Sequence, residues 1–187
     1  MTTQTESHKI KSQANMDYNF QDIEGERFIC INALEAIPTF FVSMISAQDH
    51  WFFTATNGAL SAGRGSPDHA LFPYYTVDKI INNSNCTGPQ TIIKVADKIW
   101  EPFKSSSERI FSISRKIYKS INGDTLIFEE INKDLNLTFS YTWSTSEKYG
   151  FIRRAKLVNL GSENVAITIV DGLSDFLASG VDDRTHL

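Results

Sequence analysis

Residues 135–144 read Leu-Asn-Leu-Thr-Phe-Ser-Tyr-Thr-Trp-Ser, and this stretch decides the fold class. Its odd-numbered residues are apolar and its even-numbered residues are polar throughout. Side chains on a β-strand alternate between the two faces of a sheet, so strict alternation is typical of a strand with one buried face. The sequence therefore predicts that the odd-numbered residues of this strand, from Leu135 to Trp143, face a core.

The segments around this strand carry further strand and turn signals. Residues 109–118 and 125–131 are strand-like and are joined through Asn122-Gly123-Asp124. Asn-Gly favours a hairpin, because both residues tolerate positive φ. We expect residues 151–159 and 165–170 to form a second pair across the polar residues 160–164. This spacing favours an antiparallel meander within a sandwich.

The amino-terminal half contains three more strand-like stretches, at residues 26–33, 37–45 and 50–56. Residues 57–79 differ, because Gly and Pro are interspersed there with polar and aromatic side chains. Gly permits unusual backbone angles and Pro removes hydrogen-bond donors. This composition favours a long, shaped loop over a pair of strands. A helical period is present only weakly, around residues 75–82.

The whole chain is predicted to be all-β, as an antiparallel β-sandwich that could be a truncated portion of a larger one. Its 187 residues fit one domain with a sizeable core. We assign residues 18–187 to this domain. The polar residues 1–17 offer a core little to hold, and we expect them to be frayed or disordered.

The net charge and the hydropathy of the chain restrict the partners that it can bind and its location. The net charge of -4 and the absence of a basic stripe argue against nucleic-acid binding. The densest basic group, Arg153, Arg154 and Lys156, lies in a strand-like segment and is interpreted as a solvated face. No apolar run is long enough to span a membrane, and no signal peptide is visible, so we expect a cytoplasmic location.

Catalytic and metal-binding patterns are not found. The four histidines are far apart in sequence, and Cys30 and Cys86 lack the spacing of a zinc site, so no metal or cofactor is expected. Cys30 lies in an apolar run and is predicted to be a buried free thiol. Glu129 and Glu130 are adjacent on a strand and therefore point to opposite faces, so they cannot form an acid/base pair there. No catalytic residue is assigned.

Residues 50–79 do suit contact with a sugar or another polar ligand. Tyr and Trp rings present flat apolar faces to the C–H groups of a pyranose, while Arg, Asp and Asn supply directional hydrogen bonds. The alternative is that Trp51 and Tyr75 belong to the core and that Arg64 pairs with Asp68 or Asp78. The candidate ligand-binding residues are Trp51, Asn57, Arg64, Asp68, His69, Tyr74, Tyr75 and Asp78.

This region resembles the amino-terminal part of cellobiose-phosphorylase-like carbohydrate enzymes. The similarity is carried by residues 49–53, by Ala62-Gly63-Arg64 and by Leu71-Phe72-Pro73-Tyr74-Tyr75-Thr76-Val77-Asp78-Lys79. Residues 156–162 and 170–173 add to it, so that the resemblance spans about residues 20–181.

The resemblance implies a galactose-mutarotase-like β-supersandwich that precedes a helical catalytic barrel. No run of amphipathic helices is present here, so the chain is expected to be either an amino-terminal piece or a shorter relative. Two functions remain open. One is a non-catalytic domain that packs on the catalytic barrel and shapes its sugar site. The other is a free-standing carbohydrate-binding module. Neither the sugar nor the oligomeric state follows from the sequence.

Overall fold

The computed structural model describes residues 17–83 and 87–177. Two short helices, α1 (Val77–Asn82) and α2 (Ser105–Glu108), and two 3-10 turns, Leu34–Ala36 and Pro67–His69, lie between the strands. The strands in chain order are β1 (Tyr18–Ile23), β2 (Glu26–Ile31), β3 (Phe41–Met44), β4 (His50–Ala55), β5 (Leu60–Arg64), β6 (Ala70–Phe72), β7 (Gly88–Val95), β8 (Lys98–Trp100), β9 (Ile113–Ser120), β10 (Leu126–Asn132), β11 (Leu137–Ser146), β12 (Gly150–Asn159) and β13 (Ile167–Ser174).

These strands form three antiparallel sheets, which confirms the predicted fold class. The largest sheet has six strands in the order β1-β2-β9-β10-β11-β12. A four-stranded sheet has the order β3-β4-β5-β6, and a three-stranded sheet has the order β13-β7-β8. Residues from all three sheets contribute to one main hydrophobic cluster, so the sheets pack in a sandwich-like arrangement.

Side chains of strand β11 form the centre of this cluster, as its alternation predicts. Leu137, Phe139, Tyr141 and Trp143 are each at most 2% exposed. Strand β10 adds to this central part of the core, because the Phe128 ring stacks on the Tyr141 ring with a centroid separation of 4.8 Å.

The predicted hairpin is formed by β9 and β10, which pair antiparallel. Gly123 has a φ of +81°, a conformation that glycine adopts without a steric penalty. The Ser120 hydroxyl accepts hydrogen bonds from the backbone N–H groups of Gly123, Asp124 and Thr125, each at 3.1 Å. This side chain satisfies donors that the tight turn would otherwise leave unpaired.

The predicted pairing of residues 151–159 with residues 165–170 is wrong. Strand β12 pairs with β11, whereas β13 pairs with β7 in the three-stranded sheet. Opposite Ile169 in that ladder is Ile93, which is fully buried. Strand β13 thus pairs with a strand distant in sequence, and the local turn signal does not determine its partner.

The interpretation of Arg153 as part of a solvated face is also wrong. Its guanidinium donates two hydrogen bonds to the Asp171 carboxylate, at 2.7 and 2.9 Å, and lies 4.8 Å from the Tyr141 ring centroid. Burial opposes ionisation of Asp171, but hydrogen bonds from Arg153 and Thr91 hold the pKa of its carboxyl below the usual value. Arg154 and Lys156 are exposed, as expected.

The segment 57–79 is not a long loop. It contains β5, β6 and the start of α1, at the place of the weak helical period. Ala59, Leu60, Ser61 and Ala62 have no exposed surface. Ala59, Ser61 and Ala62 have small side chains, which resemble the composition of a loop in the sequence. In the structure, these small side chains allow neighbouring residues to cover both faces of the strand closely.

Three further predictions concern Cys30, the first residues of the chain and membrane-spanning segments. Cys30 is a buried free thiol, as expected. The predicted frayed start falls mostly on residues 1–16, which lie outside the described residues, as does Cys86. Within the described ranges, no helix is long and apolar enough to cross a membrane.

Replacement of Phe139 by Ala should lower the free energy of unfolding by about 3–5 kcal/mol, because a fully buried aromatic ring is lost. Its neighbour Ser140, on the opposite face of β11, provides the control. Ser140→Ala should change stability by less than about 0.5 kcal/mol. Urea unfolding followed by far-UV circular dichroism measures both, and equal effects would contradict the assignment of faces.

Candidate functional site: an aromatic row on the outer sheet face

Strand β4 directs two aromatic side chains away from the core. His50, Phe52 and Thr54 are buried on the inner face, and Phe52 packs against Trp143 with ring centroids 5.2 Å apart. Because strand side chains alternate, Trp51 and Phe53 lie on the outer face. Both are partly exposed. The core packing of β4 therefore determines which aromatic rings reach the surface.

Gly63 allows the Trp51 ring to lie close against the sheet. The two residues are directly opposite each other in the β4–β5 ladder. A Cβ atom on residue 63 would be only 2.4 Å from Trp51 Cζ2 and 2.6 Å from the carbonyl oxygen of His69. Any other residue would displace the ring, so Gly63 is required for this placement.

Four rings form a continuous aromatic row along this face. Phe41 contacts Phe53 with ring centroids 5.6 Å apart, and Phe53 contacts Trp51 at 5.8 Å. Trp51 in turn contacts Tyr74 edge-on at 5.4 Å. We call Phe41, Phe53, Trp51 and Tyr74 the aromatic row. The structure thus brings together two of the sequence-predicted candidates, Trp51 and Tyr74.

The row is accessible at both ends. Tyr74 is 54% exposed and Phe41 is 36% exposed. Trp51 Nε1 is buried and has no hydrogen-bond partner in the described part of the chain. Trp51 and Phe53, in the middle of the row, are only partly exposed, and Phe53 also packs against the cluster that contains Ile80, so the row is most open to a ligand at Tyr74 and Phe41.

Arg64 lies on the other face of the sheet. It is opposite His50 in the ladder, whereas Gly63 is opposite Trp51, and directly opposed residues share a face. Arg64 is exposed and forms no ion pair with the described residues, so it does not pair with Asp68 or Asp78. Burial, and then the charge of Arg64, lower the pKa of His50.

The Asp68 and His69 candidates lie in the 3-10 turn Pro67–His69, just beyond β5, and both are exposed. Among the described residues, no group of His, Cys, Asp and Glu side chains could hold a metal ion. The turn thus presents polar groups near the end of the sheet without forming a cation site.

The Asn57, Tyr75 and Asp78 candidates are attached to helix α1. Asn57 Nδ2 donates to the Ile81 carbonyl at 2.8 Å, and its Oδ1 accepts from the Ala59 N–H at 3.2 Å. Tyr75 packs partly buried against the cluster that contains Ile80. Asp78 is exposed in the first turn, where a hydrogen bond from Thr76 lowers the pKa of its carboxyl. Asn57 and Tyr75 therefore hold the helix in place.

The sequence reasoning missed a buried ion pair. Glu130 has no exposed surface and accepts hydrogen bonds from Arg115 Nε, Trp100 Nε1 and the Phe103 N–H, each at 2.6 Å. Burial raises the pKa of Glu130, and Arg115 opposes this effect. The signal was present, because Glu130 follows Leu126 and Phe128 on the inner face of β10.

Arg115 also forms the inner wall of a groove of about 370 Å³. Its Nη1 donates to Glu108, and its backbone N–H donates to Glu35 at 2.8 Å. Two carboxylates, Glu108 and Glu130, therefore bind the guanidinium itself, and Arg115 Nη2 donates to the Lys104 carbonyl at 3.1 Å, which leaves Arg115 little capacity to bind an anion. The groove residues are Leu34, Glu35, Ile37, Pro38, Thr39, Thr56, Asn57, Phe103, Ser105, Glu108 and Arg115.

No protein-family model matches this chain, and no curated protein matches it at a significant level.

The Glu130→Ala variant should unfold at a lower denaturant concentration, with a loss of about 3–5 kcal/mol, because Arg115 would lose its fully buried counter-charge and keep only the partly exposed Glu108. Glu129→Gln, on the opposite face of the same strand, where the carboxylate is partly exposed and lies 3.6 Å from Lys116 Nζ, should cost less than about 1 kcal/mol. Chemical denaturation of the two variants measures both losses in the free energy of unfolding. Equal losses would show that the buried pair contributes no more than the surface pair.

Proposed function

We propose that this chain is a non-catalytic domain of a carbohydrate-active enzyme and that it contacts sugar through the aromatic row. The single observation that carries this proposal is the edge-on contact of Trp51 with Tyr74, whose ring is 54% exposed. Exposed aromatic rings grouped on a rigid sheet provide a stacking surface for the apolar faces of pyranose rings. The resemblance to cellobiose-phosphorylase-like enzymes supports the same ligand class.

A further observation favours a domain over a free-standing module. The outer face of the three-stranded sheet exposes Ile92 by 43%, Ile99 by 55% and Val170 by 65%. Val170 and Ile92 are directly opposite each other, and Ile99 is opposite Lys94 on the same face, so the three apolar side chains form a patch that Lys94 interrupts. Such a patch suits packing against another domain, and a catalytic barrel would be the partner that the resemblance implies. A free-standing carbohydrate-binding module is the alternative.

The row itself contains no charged side chain, and no cation lies over its rings among the described residues. Stacking of neutral sugars is therefore favoured over recognition of anionic ligands. Within the described residues, no group of His, Cys, Asp and Glu side chains could hold a metal ion. Binding without turnover is the function that this arrangement supports.

The Tyr74→Ala variant of the 187-residue chain should bind disaccharides at least about threefold more weakly than the parent, because one stacking ring is removed. Isothermal titration calorimetry with cellobiose, lactose, maltose and xylobiose measures the affinity. The control is Tyr149→Ala, which removes a tyrosine that is 70% exposed and lies outside the row.

This control should retain the parent affinity. The proposal is contradicted if the parent binds none of the four sugars, or if both variants bind as the parent does. Unchanged melting temperatures for both variants would show that the loss in Tyr74→Ala is local.

A further inference from the structure

We propose that two copies of this chain associate through strand β13, so that the three-stranded sheet of one copy continues into that of the second. The two β13 strands pair antiparallel, and the association is weak and depends on concentration. This inference is independent of the carbohydrate-binding function proposed above, because the aromatic row lies on a different sheet.

Strand β13 has one edge with which no described residue pairs. It stands at the end of the order β13-β7-β8, and its eight residues pair with β7 alone. Within the described residues, no backbone hydrogen bond from a turn or loop reaches residues 167–173. The backbone N–H and C=O groups along this edge can therefore pair with a further strand.

The apolar side chains of β13 are only partly covered by the core. Ile167, Ile169 and Leu173 lie on the same face of the sheet as the fully buried Ile93, yet they are 41%, 42% and 41% exposed. Val170, on the other face, is 65% exposed. A strand with apolar side chains beside β13 would remove this surface from water, which favours pairing.

The other edge strands of the three sheets are short or carry exposed charges. Strands β3, β6 and β8 have four, three and three residues. Strand β12 exposes Arg154 and Lys156, and β1 exposes Asp22. Short length and charge are means by which proteins prevent sheet edges from pairing. Strand β13 has neither, because its single charged residue, Asp171, is bound by Arg153.

A second copy of β13 has the sequence and the charge that this edge requires. In an antiparallel pair with its two-fold axis at Val170, Ile167 lies opposite Leu173 of the second copy, and the two Val170 side chains face each other. Asp171 then lies opposite Ile169, so that no like charges are directly opposed. An axis at Asp171 would oppose two carboxylates. The charges therefore select the register that is centred on Val170.

The size of the contact determines its strength. A stable interface uses about 20–30 residues from each partner. Strand β13 contributes eight residues. We therefore expect a dissociation constant on the order of 10–100 μM, which is typical of a transient dimer and not of a permanent one.

Sedimentation equilibrium of the full chain from about 5 to about 500 μM measures the association. The weight-average mass should rise from 21.1 kDa towards twice this value. Val170→Lys should weaken association at least about tenfold, because an apolar contact is lost and two ammonium groups are placed opposite each other. Since Val170 is largely exposed in one copy, this variant should keep the parent melting temperature.

Ile99→Lys is the matched control. Ile99 is 55% exposed and lies on the same face of the same sheet as Val170, but on β8 at the opposite edge. This variant should associate as the parent does. Amide hydrogen exchange then locates the contact, because the β13 amides that are not bonded to β7 should exchange more slowly at the higher concentration.

Three results would overturn the proposal. One is a mass of 21.1 kDa at every concentration. Another is an association that Val170→Lys and Ile99→Lys weaken equally, which would place the contact elsewhere. The third is slow exchange along the open edge of β13 in a chain that remains monomeric, which would show that another segment of the same chain covers this edge. None of these results affects sugar binding at Tyr74, so the two proposals fail separately.

Discussion

The packing of Phe52 into the core is the constraint on which the site depends. Its ring contacts Trp143 at 5.2 Å and Phe151 at 5.7 Å, so that β4 is fastened to two strands of the large sheet. Since side chains alternate along a strand, this contact leaves Trp51 and Phe53 no position except the outer face. A slip of one residue would bury the row and expose the core ring. The same interaction therefore stabilises the fold and orients the candidate site.

Two ion pairs also connect the sheets of the sandwich. Glu130 connects β10 to Trp100 at the end of β8 and to the backbone of Phe103, while Arg115 compensates its charge from β9. On the other side, Arg153 of β12 holds Asp171 of β13. Both pairs connect the large sheet to other parts of the chain through hydrogen bonds to a carboxylate. They hold the scaffold, while the aromatic row, which contains no charge, is the surface proposed to contact ligand.

The sequence predicts those features that depend on neighbouring residues. The alternation of β11, the β9–β10 hairpin and the buried Cys30 follow from local pattern and are confirmed. The predicted partner of β13 is wrong because β13 pairs with β7, which is distant in the sequence, so that no local pattern indicates this pairing. Among the site candidates, Trp51 and Tyr74 are in contact, but Arg64 lies on the other face of the sheet. The β4–β5 register determines which of these residues share a face. Composition alone does not contain that register.

The central claim is that ligand contacts the outer face of β4, and the three tryptophans offer a direct measurement. In ¹H–¹⁵N spectra each indole N–H gives its own signal. Trp100 Nε1 is bonded to Glu130, and Trp143 lies in the core, so both serve as internal references. On titration with the oligosaccharide that binds best, the account predicts that the Trp51 signal shifts progressively while the other two stay in place. A stationary Trp51 signal at saturating ligand, or equal shifts in all three, would contradict it.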